Sequence, residues 1–299
     1  MERIIYSNAK KMTNYFRYRY RNPKTEPINC DLCDELARCV ATGEPYFAGR
    51  FGQTEIFNLR VYEQKLFPKY QKAIDQLGKW SGFFPTDTKY LKEFARIYTG
   101  AMPEVDALYQ MGAVGERHLI KKYCKPSVKF INNLGCWAEE NPYTQYLEGK
   151  KVLVIHPFVD TIIKQYAIRE KLFPATPNML PQFELLTLRA VQTIAGQTDE
   201  RFTTWFEAYD WMCNEISKID YDIALIGCGA YGFPLGAYCK RMGKIAIHMG
   251  GDLQMQFGII GARWDNHDIA KKLINEYWVR PSKEETPKTS EVVENACYW

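Results

Sequence analysis

The residues that point most directly to chemistry lie in a glycine-rich stretch late in the chain. An apolar run, Ile223–Ile226, is followed by Gly-Cys-Gly-Ala-Tyr-Gly and then by a helical pattern. Such a turn between a strand and a helix leaves backbone N–H groups unpaired, where they can hold a phosphate. Five residues of the turn are therefore candidates for binding a nucleotide-like ligand: Gly227, Gly229, Ala230, Tyr231 and Gly232. The alternative is that the glycines serve only a tight turn and close helix packing.

The same stretch formally matches the G-x-G-x-x-G fingerprint of dinucleotide-binding enzymes. In those enzymes an acidic residue about twenty positions further on binds the ribose. Here a second apolar run, Ile245–His248, is followed by Gly250 and Gly251, and the acidic Asp252 comes a little late. Binding of NAD or FAD stays an alternative to phosphate binding of another kind. In either case His248, Gly250 and Gly251 are candidates for lining the ligand site.

A second glycine turn lies near the start of the chain, after a predicted strand at residues 46–49. It reads Gly-Arg-Phe-Gly-Gln-Thr-Glu. Arg50 carries a planar guanidinium that suits phosphate, and Gly52 and Gln53 are candidates for contacting the same ligand. Glu55 falls in the first turn of the next helix, where the helix dipole stabilises an anion. It is equally a candidate catalytic carboxylate or metal ligand, because ligands of open α/β sheets bind at the carboxyl ends of strands.

Two histidines stand at the ends of predicted strands. His156 directly follows the apolar run at residues 152–155, and His248 ends the run before Gly250. The carboxyl ends of parallel strands meet at one edge of a sheet, so both histidines are expected beside the two glycine turns. A structural role and a role in the ligand site are both open for each of them.

Strands alternate with helices along the chain, which predicts an α/β fold. We expect a Rossmann-like, mainly parallel sheet with helices on both faces. The predicted strands cover residues 46–49, 128–134, 152–155, 184–194, 223–226 and 245–248. The predicted helices cover residues 31–40, 53–67, 69–112 (with breaks at Gly78, Pro85 and Pro103), 159–173, 199–219 and 235–242.

The chain is predicted to have three parts. Residues 30–278 form a single α/β domain, because no Ser/Gly linker or internal repeat divides them. Residues 1–29 form a basic arm with aromatic residues between the arginines; it could pack on the domain, lie on an anionic membrane surface or grip RNA. Residues 279–299 form a polar tail that ends in Cys-Tyr-Trp, so we expect it to pack on the domain and dock its last rings.

Composition excludes several classes of function. The net charge of +4 is too small to make nucleic acid the main partner. No run of 18 apolar residues is present, so we expect no transmembrane segment, and the N-terminus lacks the apolar region of a signal peptide. The nine cysteines are scattered, mostly in apolar contexts, which is typical of reduced thiols and predicts a cytoplasmic protein. Peripheral contact of the basic arm with the inner membrane, and a homo-oligomer, stay open.

The two glycine turns, taken in this order, resemble those of GT-D-type glycosyltransferases. Phe-Ala-Gly-Arg-Phe-Gly-Gln-Thr-Glu-Ile at residues 47–56 is similar to that family's Arg-Phe-Gly-Asp-Gly-Glu signature. Residues 224–251 resemble its second glycine turn, the helix after it and the strand that ends in a glycine. The resemblance spans residues 46–261 and is loose between the two turns.

The resemblance implies a glycosyltransferase. A sugar would pass from a nucleotide-diphosphate donor of the UDP or GDP type to a glycan or other acceptor, in the synthesis of bacterial surface polysaccharide. Arg50 and the backbone N–H groups of residues 229–232 would stabilise the leaving diphosphate. Glu55 would hold a metal or take the proton of the acceptor hydroxyl, and His156, His248 and the nearby glycines would line the donor site.

The family's Asp-x-Glu pair, which lies near the diphosphate and a divalent metal, matches Gln53 and Glu55. The amide of Gln53 is a poor ligand for Mg²⁺ or Mn²⁺, which favour charged oxygen. This departure puts metal dependence in question. Two other functions remain as alternatives: an NAD(P)-dependent oxidoreductase, and a non-catalytic protein that binds a sugar nucleotide or a glycan.

Overall fold

One sheet of parallel strands forms the centre of the protein. A computed structural model describes residues 30–135 and 141–299, so the basic arm predicted at residues 1–29 lies outside the described residues. The strands are β1 (Tyr46–Arg50), β2 (Ala107–Tyr109), β3 (Lys129–Ile131), β4 (Lys151–His156), β5 (Glu184–Arg189), β6 (Ile223–Ile226) and β7 (Ile245–His248). Their order across the sheet is β3-β2-β1-β7-β6-β4-β5, and every pair is parallel. The predicted α/β fold with a Rossmann-like, mainly parallel sheet is confirmed.

Helices connect the strands. They are α1 (Leu32–Thr42), α2 (Gln53–Glu63), α3 (Tyr70–Ser81), α4 (Leu91–Ala101), α5 (Glu116–Tyr123), α6 (Val159–Ala167), α7 (Arg169–Leu172), α8 (Trp205–Ser217), α9 (Gly232–Arg241), α10 (Leu253–Gln256) and α11 (Asp268–Leu273). Within residues 30–135 and 141–299, none of these helices has the length and apolar character that crossing a membrane requires.

The helices cover both faces of the sheet, as expected for an all-parallel sheet. Successive residues of a strand point to opposite faces, and β4 shows the result. Leu153 and Ile155 belong to an apolar cluster with α2, α3, α4, α8 and α9. Val152 and Val154 belong to a second cluster with α1, α6, α10 and the end of the chain. The central strands are therefore buried on both sides.

The predicted helical region at residues 69–112 is wrong in two respects. It contains β2, a strand of three residues that is too short to show a period of two against a helical background. Gly78 does not break the helix but lies within α3. A Cβ atom at Gly78 would lie 2.4 Å from Cγ2 of Thr86 and 2.9 Å from the carbonyl oxygen of Phe83. The glycine therefore allows the following loop to pack closely on the helix.

Several predicted boundaries differ from the observed ones. The helix predicted from residue 199 begins at Trp205, because Thr204 caps it: Thr204 Oγ1 accepts a hydrogen bond from the Glu207 N–H (3.2 Å), and the Glu207 carboxylate accepts one from the Thr203 N–H (2.7 Å). The strand predicted to run to residue 194 ends at Arg189. The helix predicted at residues 53–67 ends at Glu63, and the one predicted at 159–173 is divided into α6 and α7.

The end of the chain packs on the second face of the sheet. Trp299 is 8% exposed, and its Nε1–H donates to the carbonyl oxygen of Glu285 (3.2 Å). Its ring lies 6.2 Å from that of Phe158, edge to face. The buried carboxylate of Glu285 accepts a hydrogen bond from the Asp160 N–H (2.8 Å) in the first turn of α6. The last residues thereby lie beside the segment that follows β4.

Candidate ligand-binding site

A cavity of about 570 Å³, called the pocket below, opens at the carboxyl edge of the sheet. Segments that follow β1, β4, β6 and β7 border it. Open α/β sheets bind their ligands at this edge, and the volume lies within the range of small-molecule sites. The pocket brings together all of the sequence-predicted site residues except Ala230 and Gly232: Arg50, Gly52, Gln53, Glu55, His156, Gly227, Gly229, Tyr231, His248, Gly250 and Gly251.

Arg50 ends β1 and places a half-buried guanidinium in the pocket. Its Nε–H donates to the carbonyl oxygen of Met249 (3.2 Å), and Nη1–H donates to the sulfur of Met111 (3.2 Å). Among the described residues no carboxylate lies within ion-pairing distance of it. An arginine that is held by neutral acceptors and lacks a counter-ion keeps donors for an anionic ligand.

Gly250 allows this position of Arg50. Its φ is +64°, a conformation that glycine adopts without strain. A Cβ atom there would lie 2.3 Å from Nη2 of Arg50. The guanidinium therefore lies directly on the backbone that follows β7, and any other residue at position 250 would displace it.

Glu55 lies in the first turn of α2 with 4% of its surface exposed. Its carboxylate folds back over Gly52, where a Cβ atom would come within 1.8 Å of Oε2. Oε2 accepts a hydrogen bond from Thr54 Oγ1 (2.9 Å), which is itself 2.5 Å from Ser81 Oγ at the end of α3. Glu55 thus lines the pocket and also interacts with its own helix N-terminus, so both sequence interpretations agree with its position.

The glycine turn after β6 is closely packed. Gly229 has a φ of +57°, and a Cβ atom there would lie 2.6 Å from the carbonyl oxygen of Ser81. A Cβ atom at Gly227 would lie 2.6 Å from the carbonyl oxygen of Gly250 and 2.9 Å from the His156 ring. These glycines are needed for the close approach of three segments, and they line the pocket as well.

Ala230, Tyr231 and Gly232 differ in their positions. The buried ring of Tyr231 lines the pocket and stacks on Trp205, with ring centroids 4.9 Å apart. Ala230 is buried behind the turn. Gly232 begins α9 and faces His248, since a Cβ atom at Gly232 would lie 2.1 Å from Cε1 of that ring. Ala230 and Gly232 therefore shape the pocket from behind.

His156 and His248 are buried and neutral. Burial lowers the pKa of each ring to about 3, and for His248 the nearby Arg50 contributes. Nδ1 of His156 accepts a hydrogen bond from the Phe158 N–H (3.0 Å), so the ring proton is on Nε2. Nδ1 of His248 is 3.3 Å from the carbonyl oxygen of Ile226, which can only accept, so this ring carries its proton on Nδ1. The pocket thus has one histidine with a donor at Nε2 and one with an acceptor there.

Sequence reasoning missed two groups of residues that line the pocket. One is the end of α3 with the loop after β5: Trp80, Ser81, Gly82, Val191, Gln192, Thr193 and Ile194. The other comes from the last part of the chain: Gln254, Arg263, Glu294, Tyr298 and Trp299. Only the aromatic Cys-Tyr-Trp terminus gave a signal for the second group, and it predicted docking rather than a place in the site.

The donor set of the pocket does not fit a resident divalent metal. In the described part of the chain no three His, Cys, Asp or Glu side chains converge. Gln53 offers a neutral amide, which leaves Glu55 as the single carboxylate of the two positions that match the family's metal-binding pair. Mg²⁺ and Mn²⁺ favour several charged or neutral oxygen ligands in a fixed geometry.

The fold and the pocket define an α/β protein with a ligand site at the carboxyl edge of a parallel sheet. No protein-family model, curated protein or solved structure matches the chain. Its function therefore has to follow from the geometry and chemistry of the pocket, and the resemblance to GT-D-type glycosyltransferases stays a prediction.

Proposed function

We propose that this protein binds a nucleotide-diphosphate sugar in the pocket and acts as a glycosyltransferase. The observation that carries the proposal is Arg50: a guanidinium without a carboxylate partner among the described residues, held on Gly250 between two glycine turns. Guanidinium forks and closely approached backbone are the groups that proteins use for phosphates. UDP and GDP sugars are the donor classes, and a glycan or other acceptor receives the sugar.

The proposed chemistry uses side chains of the pocket alone. The bond between the sugar's C1 and the diphosphate oxygen breaks, and the diphosphate leaves with a further negative charge, which Arg50 stabilises. The acceptor hydroxyl oxygen forms the new bond to C1, and its proton passes to the Glu55 carboxylate. The neutral His156 contributes a donor and the neutral His248 an acceptor for hydroxyl groups of the ligand.

An NAD(P)-dependent oxidoreductase is less well supported. In such enzymes the strand after the glycine turn ends in an acidic residue that binds the ribose. Here that strand, β7, ends in His248, which is buried and hydrogen-bonded to the backbone of β6. The first carboxylate after it, Asp252, lies beyond the glycines of the next turn.

One observation favours a second candidate, a non-catalytic sugar-nucleotide or glycan-binding protein. The Glu55 carboxylate is buried, accepts from Thr54 and lies over Gly52. In that position it stabilises the start of α2, which is a structural role. Nucleotide binding without transfer or hydrolysis of the donor would support this candidate over the transferase.

We also propose a cytoplasmic protein that works in the synthesis of bacterial surface polysaccharide, with peripheral contact to the inner membrane. The cysteines of the described residues are free thiols, and all of them are buried or partly buried. Burial raises the pKa of several of them, for example Cys30 and Cys39 to about 11. Such thiols persist in a reducing compartment.

Isothermal titration with UDP, GDP and NAD(P)⁺ tests the proposal. UDP or GDP should bind, and Arg50→Ala should weaken that binding about ten- to hundred-fold, the usual loss for hydrogen bonds to a charged group. Arg96→Ala, on an exposed arginine of α4, is the matched control and should bind as the unmodified protein does. Preferential binding of NAD(P)⁺, or equal binding by the Arg50 and Arg96 variants, would overturn the proposal. Release of UDP or GDP from a nucleotide sugar in the presence of an acceptor then separates transferase from binding protein.

A further inference from the structure

Three consecutive residues near the end of the chain have an unusual backbone. Glu294, Asn295 and Ala296 have φ values of +47°, +57° and +58°. Residues with a Cβ atom rarely adopt this left-handed conformation, and a run of three persists only where the surrounding structure holds it. Cys297 and Trp299, which follow, are buried and dock the segment. This strained turn therefore joins Glu294 to the docked residues at the end of the chain.

Glu294 contacts a cation of the pocket. Its Oε2 lies 2.8 Å from Nη2 of Arg263, and both residues line the pocket. The Arg263 side chain is 34% exposed and the Glu294 side chain 59% exposed. An ion pair this open to solvent is weak and exchanges readily. A stronger anion can therefore replace the carboxylate.

Arg263 and Arg50 line the same pocket and are connected by packing contacts. Its guanidinium packs over the ring of Tyr298, 4.8 Å from the ring centroid. That ring lies on Gly251, where a Cβ atom would come within 2.3 Å of Cε1. Arg50 lies on Gly250, the preceding residue. A chain of packing contacts thus connects the two guanidinium groups. Arg50 packs on Gly250, Tyr298 packs on the adjoining Gly251, and Arg263 packs on Tyr298.

We propose that Arg263 is a second phosphate-binding residue of the pocket, and that the Glu294 carboxylate occupies it until a phosphate displaces it. This inference rests on the proposed function, since it concerns the same nucleotide diphosphate. A diphosphate carries more negative charge than Arg50 alone balances, and the donor set of the pocket does not fit a divalent metal. A second planar guanidinium, preorganised on an aromatic ring, supplies the missing charge.

The inference predicts opposite effects for the two partners of the ion pair. Glu294→Gln removes the competing charge and should tighten the binding of inorganic pyrophosphate and of UDP or GDP about two- to five-fold, the scale of an exposed ion pair. Arg263→Ala should weaken it about ten-fold or more. In the double variant the gain from Glu294→Gln should vanish, because its target is absent.

Titration calorimetry with inorganic pyrophosphate and with UDP and GDP measures all of these, with Glu291→Gln as the control. Glu291 is an exposed carboxylate of the same segment, so this variant matches the change in net charge and should leave affinity unchanged. Melting temperatures close to that of the unmodified protein show that each variant is folded. Binding that needs Arg50 but ignores Arg263 and Glu294 would overturn this inference alone. A complete lack of binding would overturn both this inference and the proposed function. An equal gain in affinity for Glu294→Gln and Glu291→Gln would overturn the inference, because the effect would then come from net charge alone.

Discussion

Arg50 and Gly250 are far apart in the sequence and in direct contact in the fold. The guanidinium of Arg50 lies so close to the Gly250 backbone that a Cβ atom would fall 2.3 Å from Nη2. The contact is possible because β1 and β7 are neighbours in the sheet and end at the same edge. One glycine thereby sets the position of the cation on which the proposed phosphate site depends.

Gly250→Ala should therefore impair ligand binding. The new methyl group displaces the Arg50 guanidinium, and we expect about a ten-fold loss of affinity for UDP or GDP, the equivalent of one charged hydrogen bond. The left-handed φ of +64° adds a loss of about 1 kcal/mol in stability. Titration calorimetry gives the affinity and urea unfolding gives the stability.

Gly243→Ala separates these two effects. Gly243 also has a left-handed φ, +81°, but a Cβ atom there would meet no atom within 4 Å. This variant should lose about 1 kcal/mol of stability for the same backbone reason and keep full affinity. An equal loss of affinity in both variants would show that the contact with Arg50 is irrelevant to binding.

Much of the site follows from sequence because the sheet is parallel. Arg50, His156, Gly227 and His248 each stand at or just after the end of a buried strand. In a parallel sheet all such positions share one edge, and the adjacency of β1, β7, β6 and β4 in the strand order brings the four residues together. The shared edge requires only the strands to be recognised, and their apolar runs were long enough for that, whereas the strand order was not predicted.

The rest of the pocket could not be predicted from local pattern. Met111 contacts Arg50 after β2, a strand of three residues within a region of helical periodicity. Arg263 and Tyr298 come from segments without a regular period, and they reach the pocket through packing on Gly251. Contacts of this kind depend on the tertiary path of the chain, which neither propensity nor periodicity encodes.

The two buried histidines should make the protein less stable at acid pH. Their pKa values are lowered to about 3 by burial, against about 6.5 in the unfolded chain. The unfolded state therefore binds more protons between these values, and stability falls as the pH drops below about 6.5. Between pH 7 and pH 5 the loss should be about 2 kcal/mol for each ring.

Urea unfolding of His156→Gln at several pH values tests this expectation. The Gln side chain can still accept a hydrogen bond from the Phe158 N–H but does not titrate. The variant's loss of stability between pH 7 and pH 5 should therefore be smaller than that of the unmodified protein by about 2 kcal/mol. Parallel profiles for His156→Gln and the unmodified protein would contradict the assignment of a neutral buried ring.

Glu116 should make stability fall as the pH rises toward neutral, which is opposite to the effect of the two histidines. This fully buried carboxyl accepts hydrogen bonds from the N–H groups of Met111 (2.9 Å) and Ala113 (3.2 Å), and so holds the loop that places Met111 on Arg50. Burial raises its pKa from 4.5 to about 7. The folded state then binds more protons than the unfolded state between these values, so this contribution to stability is lost as the pH rises through about 7.

Glu116→Gln removes that titration. Relative to the unmodified protein, the variant should gain about 3 kcal/mol in stability between pH 4.5 and pH 8, whatever its starting stability. Urea unfolding across this range measures the difference directly. A difference that stays constant with pH would mean that Glu116 is ionised throughout.

Trp299→Ala should destabilise the fold and open one side of the pocket. The ring is 8% exposed, packs on Phe158 and donates to the carbonyl oxygen of Glu285. Replacing a buried tryptophan by alanine costs about 3–5 kcal/mol, and Tyr298 would lose its anchored neighbour. We expect a lower melting temperature and weaker binding of UDP or GDP together. Val292→Ala, which truncates an exposed side chain of the same segment, should change neither. A destabilised Trp299→Ala protein that kept full affinity below its melting temperature would show that the C-terminus supports the fold without shaping the site.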